Sequence, residues 1–294
     1  MKNVGLVIKP KVKEASLVAV DICNWLRENG NIVCSDEQTH KIIGKKIKEN
    51  NFVVCKPEDL PQKADPIITL GGDGTLIGIA RYVSGLSPLM IGVNFGNLGF
   101  LTEISPQDAL NTLKKVLEGK AQFAERAMLL ARVKRQGKEI FLSQAVNDVV
   151  VQKGVRDKLL DLDISLDKED VMRLRADGLI VATPTGSTAY SLSAGGSIVY
   201  PSLDVVLMTP ICPHSLTNRP LILGINSSIG IKVPEYDGEV FLTVDGQIST
   251  ALHSSDEIII ERAENKVRFV RSASKSYFEI LRNKLNWGIA NKFE

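Results

Sequence analysis

The sequence lacks the long apolar runs that would place it in a membrane. No run approaches the roughly 20 apolar residues that a transmembrane helix needs. The apolar start, residues 1–8, is too short for the core of a signal peptide and is typical of a β-strand. We therefore expect a cytoplasmic protein that does not interact with membranes.

The sequence also has few cysteines and no large excess of charge of either sign. Cys23, Cys34, Cys55 and Cys212 show neither zinc-finger spacing nor a Cys-x-x-Cys redox motif, so they are interpreted as small apolar residues in a reducing compartment. The 36 basic and 34 acidic residues give a formal net charge of +2. This near balance argues against the basic surface of a nucleic-acid-binding protein.

What is present is an ordinary globular composition, with 294 residues of which 44% are hydrophobic and 24% charged. Residues 1–120 alternate strand and helix patterns, which predicts an α/β domain with a parallel sheet. Residues 121–275 contain short apolar runs separated by Gly and Asp-Gly turns, which predicts an all-β, sandwich-like domain. A last helix is predicted over 276–286, packing back on the first domain.

The individual elements follow from periodicity and turn residues. In the first domain, strands are predicted at 3–8, 31–34, 66–70 and 89–93, and helices at 12–28, 38–49, from about 75, and from 105 to 119. In the second domain, strands are predicted at 127–134, 139–142, 145–152, 161–166, 171–175, 178–182, 204–208, 229–233, 239–244, 257–261 and 266–271.

The segment 71–75, Gly-Gly-Asp-Gly-Thr, lies between a predicted buried strand and a predicted helix. Its glycines allow close approach of a ligand, and the free N–H groups of a helix start favour phosphate. It is neither a Walker P-loop, because no Gly-Lys-Ser/Thr follows, nor a Gly-x-Gly-x-x-Gly fingerprint. Asp73 is its only ionisable side chain. Two interpretations stay open: a base for an attacking hydroxyl, or a turn in which Asp73 caps the helix.

Two polar segments suit a nucleotide. Asn147 and Asp148, at the predicted exit of a strand, match the two hydroxyls of a ribose, although Asn-Asp is also a common turn pair. Segment 183–196 is rich in Ser, Thr and Gly and has no charged residue. Its hydroxyls suit sugar and phosphate oxygens, and Tyr190 can pack against a base ring. A surface loop is the alternative, but the absence of charge favours a site.

Two other segments are less informative. Three prolines stiffen residues 209–220, where His214 is interpreted as holding the loop and Arg219 fits a structural ion pair equally well. Residues 245–247, Asp-Gly-Gln, follow the Asp-Gly rule for a hairpin turn.

Together and in this order, these segments resemble the NAD kinase family over nearly the whole chain. The Gly-Gly-Asp-Gly-Thr segment alone also resembles diacylglycerol kinases, sphingosine kinases and phosphofructokinases. Segment 183–196 and residues 213–216, Pro-His-Ser-Leu, are more specific to NAD kinases. The resemblance implies NAD bound between an α/β domain and a β-sandwich-like domain, in a homodimer or homotetramer. It also implies transfer of the terminal phosphate of ATP, or of polyphosphate, to the 2′-hydroxyl of the adenosine ribose, with a divalent metal such as magnesium or manganese.

The resemblance also implies roles for residues. Asp73, between Gly72 and Gly74, matches the general base, and Asn147 and Asp148 match the pair that binds NAD hydroxyls. Many members have Glu in place of Asp148, so its reach is one methylene shorter. The remaining positions that match ligand contacts are Gly78 (through its backbone), Lys158, Arg175, Asp177, Thr185, Thr188, Ala189, Tyr190, Ser191, Leu192, Ser193 and Gln247. No residue is assigned as a metal ligand, because phosphate oxygens and water are expected to supply most of the metal's shell.

The sequence therefore supports an NAD kinase in which Asp73 accepts the proton of the attacking hydroxyl. A lipid kinase with the same glycine segment needs an apolar acceptor groove, whereas segment 183–196 is polar. A non-catalytic NAD sensor does not need a base at Asp73.

Overall fold

The computed structural model describes residues 1–286 apart from 11, 48–50, 86, 97–98, 156–157, 235, 255 and 273–275. It divides into two compact units, Met1–Glu125 with Val267–Glu294, and Arg126–Lys266. Among the described residues, no helix is long and apolar enough to span a bilayer.

The elements are numbered in chain order. The helices are α1 (Lys13–Glu28), α2 (Glu37–Ile43), α3 (Leu60–Lys63), α4 (Asp73–Ala80), α5 (Ala109–Leu117), α6 (Tyr190–Ser193) and α7 (Tyr277–Leu285). The strands are β1 (Asn3–Ile8), β2 (Ile32–Ser35), β3 (Phe52–Val54), β4 (Ile67–Leu70), β5 (Leu89–Val93), β6 (Phe123–Arg135), β7 (Lys138–Ala145), β8 (Asp148–Lys153), β9 (Leu160–Leu166), β10 (Glu169–Ala176), β11 (Gly178–Ala182), β12 (Val205–Ile211), β13 (Leu221–Gly224), β14 (Ile229–Lys232), β15 (Val240–Val244), β16 (Ile248–Leu252) and β17 (Asp256–Val270).

The first unit is the predicted α/β domain. Its strands form a parallel sheet in the order β3-β2-β1-β4-β5, and Arg268 and Phe269 of β17 pair in parallel with β5. β4 is buried along its whole length, as expected for a central strand of a parallel sheet. Side chains of α1 and α5, among them Ile22 and Leu113, pack with β1, β4 and β5 in one core. In such sheets ligands bind at the carboxyl ends of the strands, which is where β4 leads into residues 71–75.

Three details of this unit differ from the prediction. The helix predicted over 38–49 ends at Ile43 and continues as a single 3₁₀ turn, while residues 48–49 lie outside the described residues. β3 and α3 were not predicted, because the three residues of β3 are too few to show periodicity. α5 begins at Ala109 rather than near Ser105, since the Ser105 hydroxyl and the Asp108 side chain bond to each other in a preceding turn.

The second unit is an antiparallel β-sandwich, which confirms the predicted class. In one sheet β10, β9, β14 and β17 are neighbours in that order, and β6 pairs with β17 and β7. The other sheet has the order β13-β12-β11-β8-β15-β16. Leu162 and Ile231 from the first sheet share a core with Val149, Val151 and Leu242 from the second.

Alternation along β8 gives this second sheet a distinct outer face. Val149 and Val151 belong to the shared core, whereas Val150 packs with Val199 in a separate small cluster. Because side chains alternate along a strand, Asp148, Val150 and Gln152 project from the same side of β8.

Some strands were predicted differently. Residues 257–261 and 266–271 were expected as two strands but form, as far as Val270, the single strand β17, in which Ala263 of the intervening polar stretch is buried. β13 and β16 were not predicted. β13 exposes Leu221 and Ile222, so its sequence lacks the alternation of a half-buried strand.

An ion pair with a buried carboxylate stabilises the second unit. Asp256, which is 1% exposed, accepts hydrogen bonds from Nε and Nη2 of Arg135, both at 2.8 Å, and from the His253 N–H at 2.8 Å. Burial raises the pKa of Asp256, but the Arg135 guanidinium and the His253 N–H outweigh it, so the net pKa is lowered. Arg173 and Asp163 form the same two-bond pair, at 2.6 and 3.0 Å, on the exposed surface.

We predict that Asp256→Asn lowers the thermal unfolding midpoint by about 5 °C or more, because it leaves the Arg135 charge without its partner. The matched control Asp163→Asn lowers it by about 2 °C or less, since exposed pairs contribute little. The pKa of Asp256 is lower in the folded state, so its stabilisation is present above the pKa of unfolded aspartate and is lost as the pH falls through the lowered value. Calorimetric scans at several pH values measure both effects, and equal midpoints for the two variants at neutral pH would contradict them.

Candidate active site

The glycine segment 71–75 joins β4 to α4 at the carboxyl end of the parallel sheet. The Gly71 N–H donates to the Val93 carbonyl at 2.9 Å, which ties the segment to the end of β5. A Cβ on Gly71 would lie 2.5 Å from Thr75 Oγ1 and 2.8 Å from Lys9 Cβ, so packing requires glycine here. Gly72 has an extended backbone, and a Cβ there would have no neighbour within 4 Å. Its glycine therefore leaves the backbone open to a ligand.

The Asp73 carboxylate binds a neighbouring turn rather than its own helix. Oδ2 accepts the Phe100 N–H at 2.9 Å, and Oδ1 accepts the N–H groups of Leu101 and Thr102 at 3.2 and 2.9 Å. Oδ1 also accepts the Thr102 hydroxyl at 2.7 Å. Gly72 is the N-cap of α4 and no side chain caps the helix, so the interpretation of Asp73 as a helix cap is wrong.

Gly99 makes room for this carboxylate. A Cβ on Gly99 would lie 2.0 Å from Asp73 Oδ1 and 2.2 Å from Thr102 Oγ1. No side chain fits at such distances, so Gly99 and Asp73 are sterically linked. The two other predicted glycines lie in α4, with Gly74 exposed and Gly78 half-buried.

A separate pocket of about 350 Å³ lies within the second unit. Four of its lining residues were predicted from the sequence: Asn147, Asp148, Ala189 and Tyr190. The others are Val150, Gln152, Thr243, Asp245 and Gly246. The pocket extends along the outer face of β8 and β15, where Val150 and Thr243 are cross-strand partners.

Asn147 and Asp148 follow the end of β7 at Ala145, as predicted for the exit of a strand, and Asp148 is also the first residue of β8. Asp148 is 4% exposed. Burial, followed by the negative charge of Asp245, raises the pKa of Asp148 to about 7, while the Tyr190 N–H, which donates to this carboxyl group, lowers it. Asp148 therefore changes its charge near neutral pH, where it switches between hydrogen-bond donor and acceptor.

Segment 183–196 contains a 3₁₀ turn over Gly186–Thr188 followed by α6. Several of its hydroxyls bond within the protein. Thr183 donates to the Val146 carbonyl at 2.6 Å, Ser187 to the Pro184 carbonyl at 2.7 Å, and the buried Ser191 hydroxyl lies 2.9 Å from that of Thr209. Much of the hydroxyl content thus fixes the shape of the segment.

Tyr190 is the side chain of this segment best placed for a ligand. It is 42% exposed and lines the pocket together with Ala189. The close approach of the segment depends on Gly186, because a Cβ there would lie 2.1 Å from the Asn147 carbonyl oxygen.

The remaining predicted contacts of this unit do not line the pocket. Arg175, Lys158, Ser193 and Gln247 are exposed, and Asp177 forms an ion pair with Lys153 at 3.4 Å. The other predicted contacts that do not line the pocket are Thr185, Thr188, Ser191 and Leu192. Their roles in ligand binding stay predictions.

Sequence reasoning missed Asp245 and the β8–β15 face. Asp245 and Gly246 have positive φ values of 50° and 63°, and the Gln247 N–H donates to the Val244 carbonyl at 2.9 Å, as the Asp-Gly hairpin rule predicts. The Asp-Gly rule predicted the hairpin turn, but it did not predict which groups the Asp245 carboxylate binds. The outer face of β8 could have been predicted from the sequence, because Val150 and Gln152 alternate with residues of the core.

Comparison with known proteins finds a matching family domain for each of the two units. The ATP-NAD kinase N-terminal domain matches residues 4–121, and the ATP-NAD kinase C-terminal domain matches residues 146–272. The chain belongs to the NAD kinase family. Among its relatives, the NAD kinase of Syntrophotalea carbinolica is 43% identical over 98% of this chain and 99% of that protein. The NAD kinase of Geobacter sulfurreducens is 41% identical with the same coverage.

Solved structures of one NADH kinase and one NAD kinase share the fold. Yeast NADH kinase in complex with NADH has a TM-score of 0.89 and 30% identity, covering 100% of this chain and 90% of that chain. An NAD kinase from Archaeoglobus fulgidus in complex with ATP has a TM-score of 0.70 and 25% identity, covering 97% of both chains. These matches confirm the resemblance and the fold class predicted from the sequence.

We predict that Gly99→Ala destabilises the first unit by about 2 to 3 kcal/mol, because the added methyl displaces the Asp73 carboxylate from its donors. Gly72→Ala is the matched control. It adds the same methyl where nothing lies within 4 Å, so its stability stays within about 0.5 kcal/mol of the unaltered chain. Urea unfolding measures both, and a stable Gly99→Ala variant would contradict the steric link.

Proposed function

We propose that this chain is an NAD kinase that transfers the γ-phosphate of ATP to the 2′-hydroxyl of the adenosine ribose of NAD, with Asp73 as the general base. The family match over both units supports the reaction. The observation that carries the role of Asp73 is its position at the carboxyl end of β4, directly after the open backbone of Gly72.

The hydrogen bonds of Asp73 favour one oxygen as the proton acceptor. Among the residues that the structure describes, Oδ1 accepts three hydrogen bonds, whereas Oδ2 accepts one, from the Phe100 N–H. An ionised carboxylate has about four acceptor positions over its two oxygens, so Oδ2 retains capacity for a further hydrogen bond. The proton of the ribose 2′-hydroxyl then passes to Oδ2 as the hydroxyl oxygen attacks the γ-phosphorus. The bond between the γ-phosphorus and the oxygen that bridges it to the β-phosphate breaks, and ADP leaves.

The glycine segment supplies the phosphate side of the reaction. The backbone at Gly72 is open, and α4 begins directly after it at Asp73. Backbone N–H groups at a helix start bind phosphate oxygens and stabilise the charge that develops during transfer. Most of the rate enhancement comes from this positioning and electrostatic stabilisation, as is usual for phosphoryl transfer.

The second unit supplies the acceptor. The Asn147 amide and the Asp148 carboxyl group line one pocket and suit adjacent ribose hydroxyls. The exposed ring of Tyr190 offers a stacking surface for a base. A lipid kinase needs an apolar groove in this position, whereas the pocket contains two carboxyl groups and two amides.

The divalent metal fits best as part of the ATP substrate. Within the described part of the chain, no three His, Cys, Asp or Glu side chains are placed to hold a metal ion together. Magnesium commonly keeps water and phosphate oxygens as ligands, and manganese suits the same oxygen ligands. No step is therefore assigned to a resident metal. The family resemblance supports three further proposals: a homodimer or homotetramer, polyphosphate as a second phosphate donor, and a cytoplasmic location.

The activity is tested directly by incubating the purified chain with NAD, ATP and magnesium and measuring NADP with an NADP-specific dehydrogenase. We expect NADP to accumulate in proportion to enzyme, and no phosphorylated product when diacylglycerol replaces NAD. Folded protein that forms no NADP above background would overturn the proposed function.

We predict that Asp73→Asn lowers kcat by about 100- to 10000-fold, the usual contribution of a general base, while the affinity for NAD is largely kept. Asp59→Asn, which makes the same chemical change at an exposed aspartate of the same unit, leaves kcat unchanged. Thermal unfolding of each variant separates loss of the base from loss of the turn at residues 100–102. Turnover of Asp73→Asn at the rate of the unaltered enzyme would remove Asp73 from the mechanism.

A further inference from the structure

The hairpin turn between β15 and β16 places one carboxylate against the start of β8. Asp245 Oδ1 accepts the N–H groups of Asn147 and Asp148 at 2.7 and 3.1 Å, and Oδ2 accepts that of Val146 at 3.0 Å. In return, the Asp245 N–H donates to the Asp148 carbonyl at 2.9 Å. The hairpin turn and residues 146–148 therefore each donate to the other. Three of these four hydrogen bonds have the Asp245 carboxylate as acceptor.

This arrangement determines the direction of two pocket side chains. Asn147 and Asp148 are consecutive, and the N–H of each is held by the same oxygen. Fixing consecutive peptide groups fixes the backbone dihedrals between them, and these dihedrals set the directions of the side chains. Asp245 itself lines the pocket with the two residues that it holds.

Asp245 also sets the charge around Asp148. The titratable groups among the described lining residues are Asp148, Asp245 and Tyr190, and the other six lining residues are neutral. After burial, the charge of Asp245 is the main cause that raises the pKa of Asp148, and the Tyr190 N–H opposes it.

We propose that Asp245 is a positioning residue for dinucleotide binding, acting through the backbone of residues 146–148 and through the negative charge that it places beside Asp148. The inference rests on the proposed function, because it assumes that Asn147 and Asp148 bind NAD. It adds a residue that acts on the binding pair from the opposite strand.

The test compares NAD affinity in the unaltered chain and in Asp245→Asn by titration calorimetry, between about pH 5.5 and pH 8.5. Asn tolerates positive φ, so the hairpin itself is kept. We expect NAD to bind about 10- to 100-fold more weakly, the equivalent of losing one hydrogen bond to a charged group.

The pH profile supplies a readout that a merely structural role would not change. An ionised carboxylate accepts hydrogen bonds from ribose hydroxyls with both oxygens. In the unaltered chain we therefore expect NAD affinity to rise with pH as Asp148 ionises, with a midpoint near its pKa of about 7. Without the charge of Asp245 the pKa of Asp148 falls, so the midpoint moves to lower pH.

Asp167→Asn is the matched control. Asp167 also has a positive φ, 51°, in a hairpin turn of the same unit; its Oδ1 accepts the Ser228 N–H at 2.9 Å, and its own N–H donates to the Ser228 carbonyl at 2.9 Å. It does not line the pocket. We expect its NAD affinity and pH midpoint to equal those of the unaltered chain.

Three results would overturn the role of Asp245: unchanged affinity in folded Asp245→Asn, weaker affinity with an unchanged midpoint, or the same loss in Asp167→Asn. If Asp245→Asn does not fold, hydrogen exchange of the unaltered chain decides. Amides 146–148 are then expected to be protected together, and free exchange would overturn the proposal. If the unaltered chain neither binds NAD nor forms NADP, the proposed function fails; if it does both, only the role of Asp245 is at stake.

Discussion

The carboxylates of Asp73 and Asp245 each accept the N–H groups of three consecutive residues, at 100–102 in the first unit and 146–148 in the second. Such N–H groups have no partner in a helix or a sheet, and a buried one without a partner costs about 1 to 3 kcal/mol. A carboxylate satisfies several of them at once, which gives an irregular turn a defined shape. The geometry of each candidate segment thus depends on one side chain as much as on the sheet that carries it.

The parts of the fold that the sequence predicted are those encoded locally. The apolar run at β4, the glycines that follow it and the Asp-Gly turn at 245–246 each specify their structure within a few residues. β17 was predicted as two strands because its polar middle interrupts the pattern, although Ala263 is buried there. Tertiary packing, which the local pattern does not contain, keeps this strand continuous.

For the candidate site, the sequence predicted which segments lie at the pocket better than it predicted which side chains face it. The hydroxyl-rich segment 183–196 does border the pocket, yet the hydroxyls of Ser187 and Ser191 bond inside the protein. The contacts of Asp245 with residues 146–148 join positions that are 97 to 99 residues apart, and that of Asp73 with Thr102 spans 29. Pairings at such separation follow from the topology of the sheets, which no local spacing reveals.

If the pocket binds NAD as proposed, its acidity has a consequence for the phosphorylated product. Its described lining includes Asp148 and Asp245 and no lysine or arginine. A phosphate monoester carries about 1.5 to 2 negative charges at neutral pH, and like charges at close range repel most strongly where water is excluded. A ligand that arrives with a free hydroxyl and leaves with a phosphate is therefore held less tightly by the carboxyl groups that first received it. In the proposed reaction, the two aspartates that orient NAD would thus also favour dissociation of its phosphorylated product.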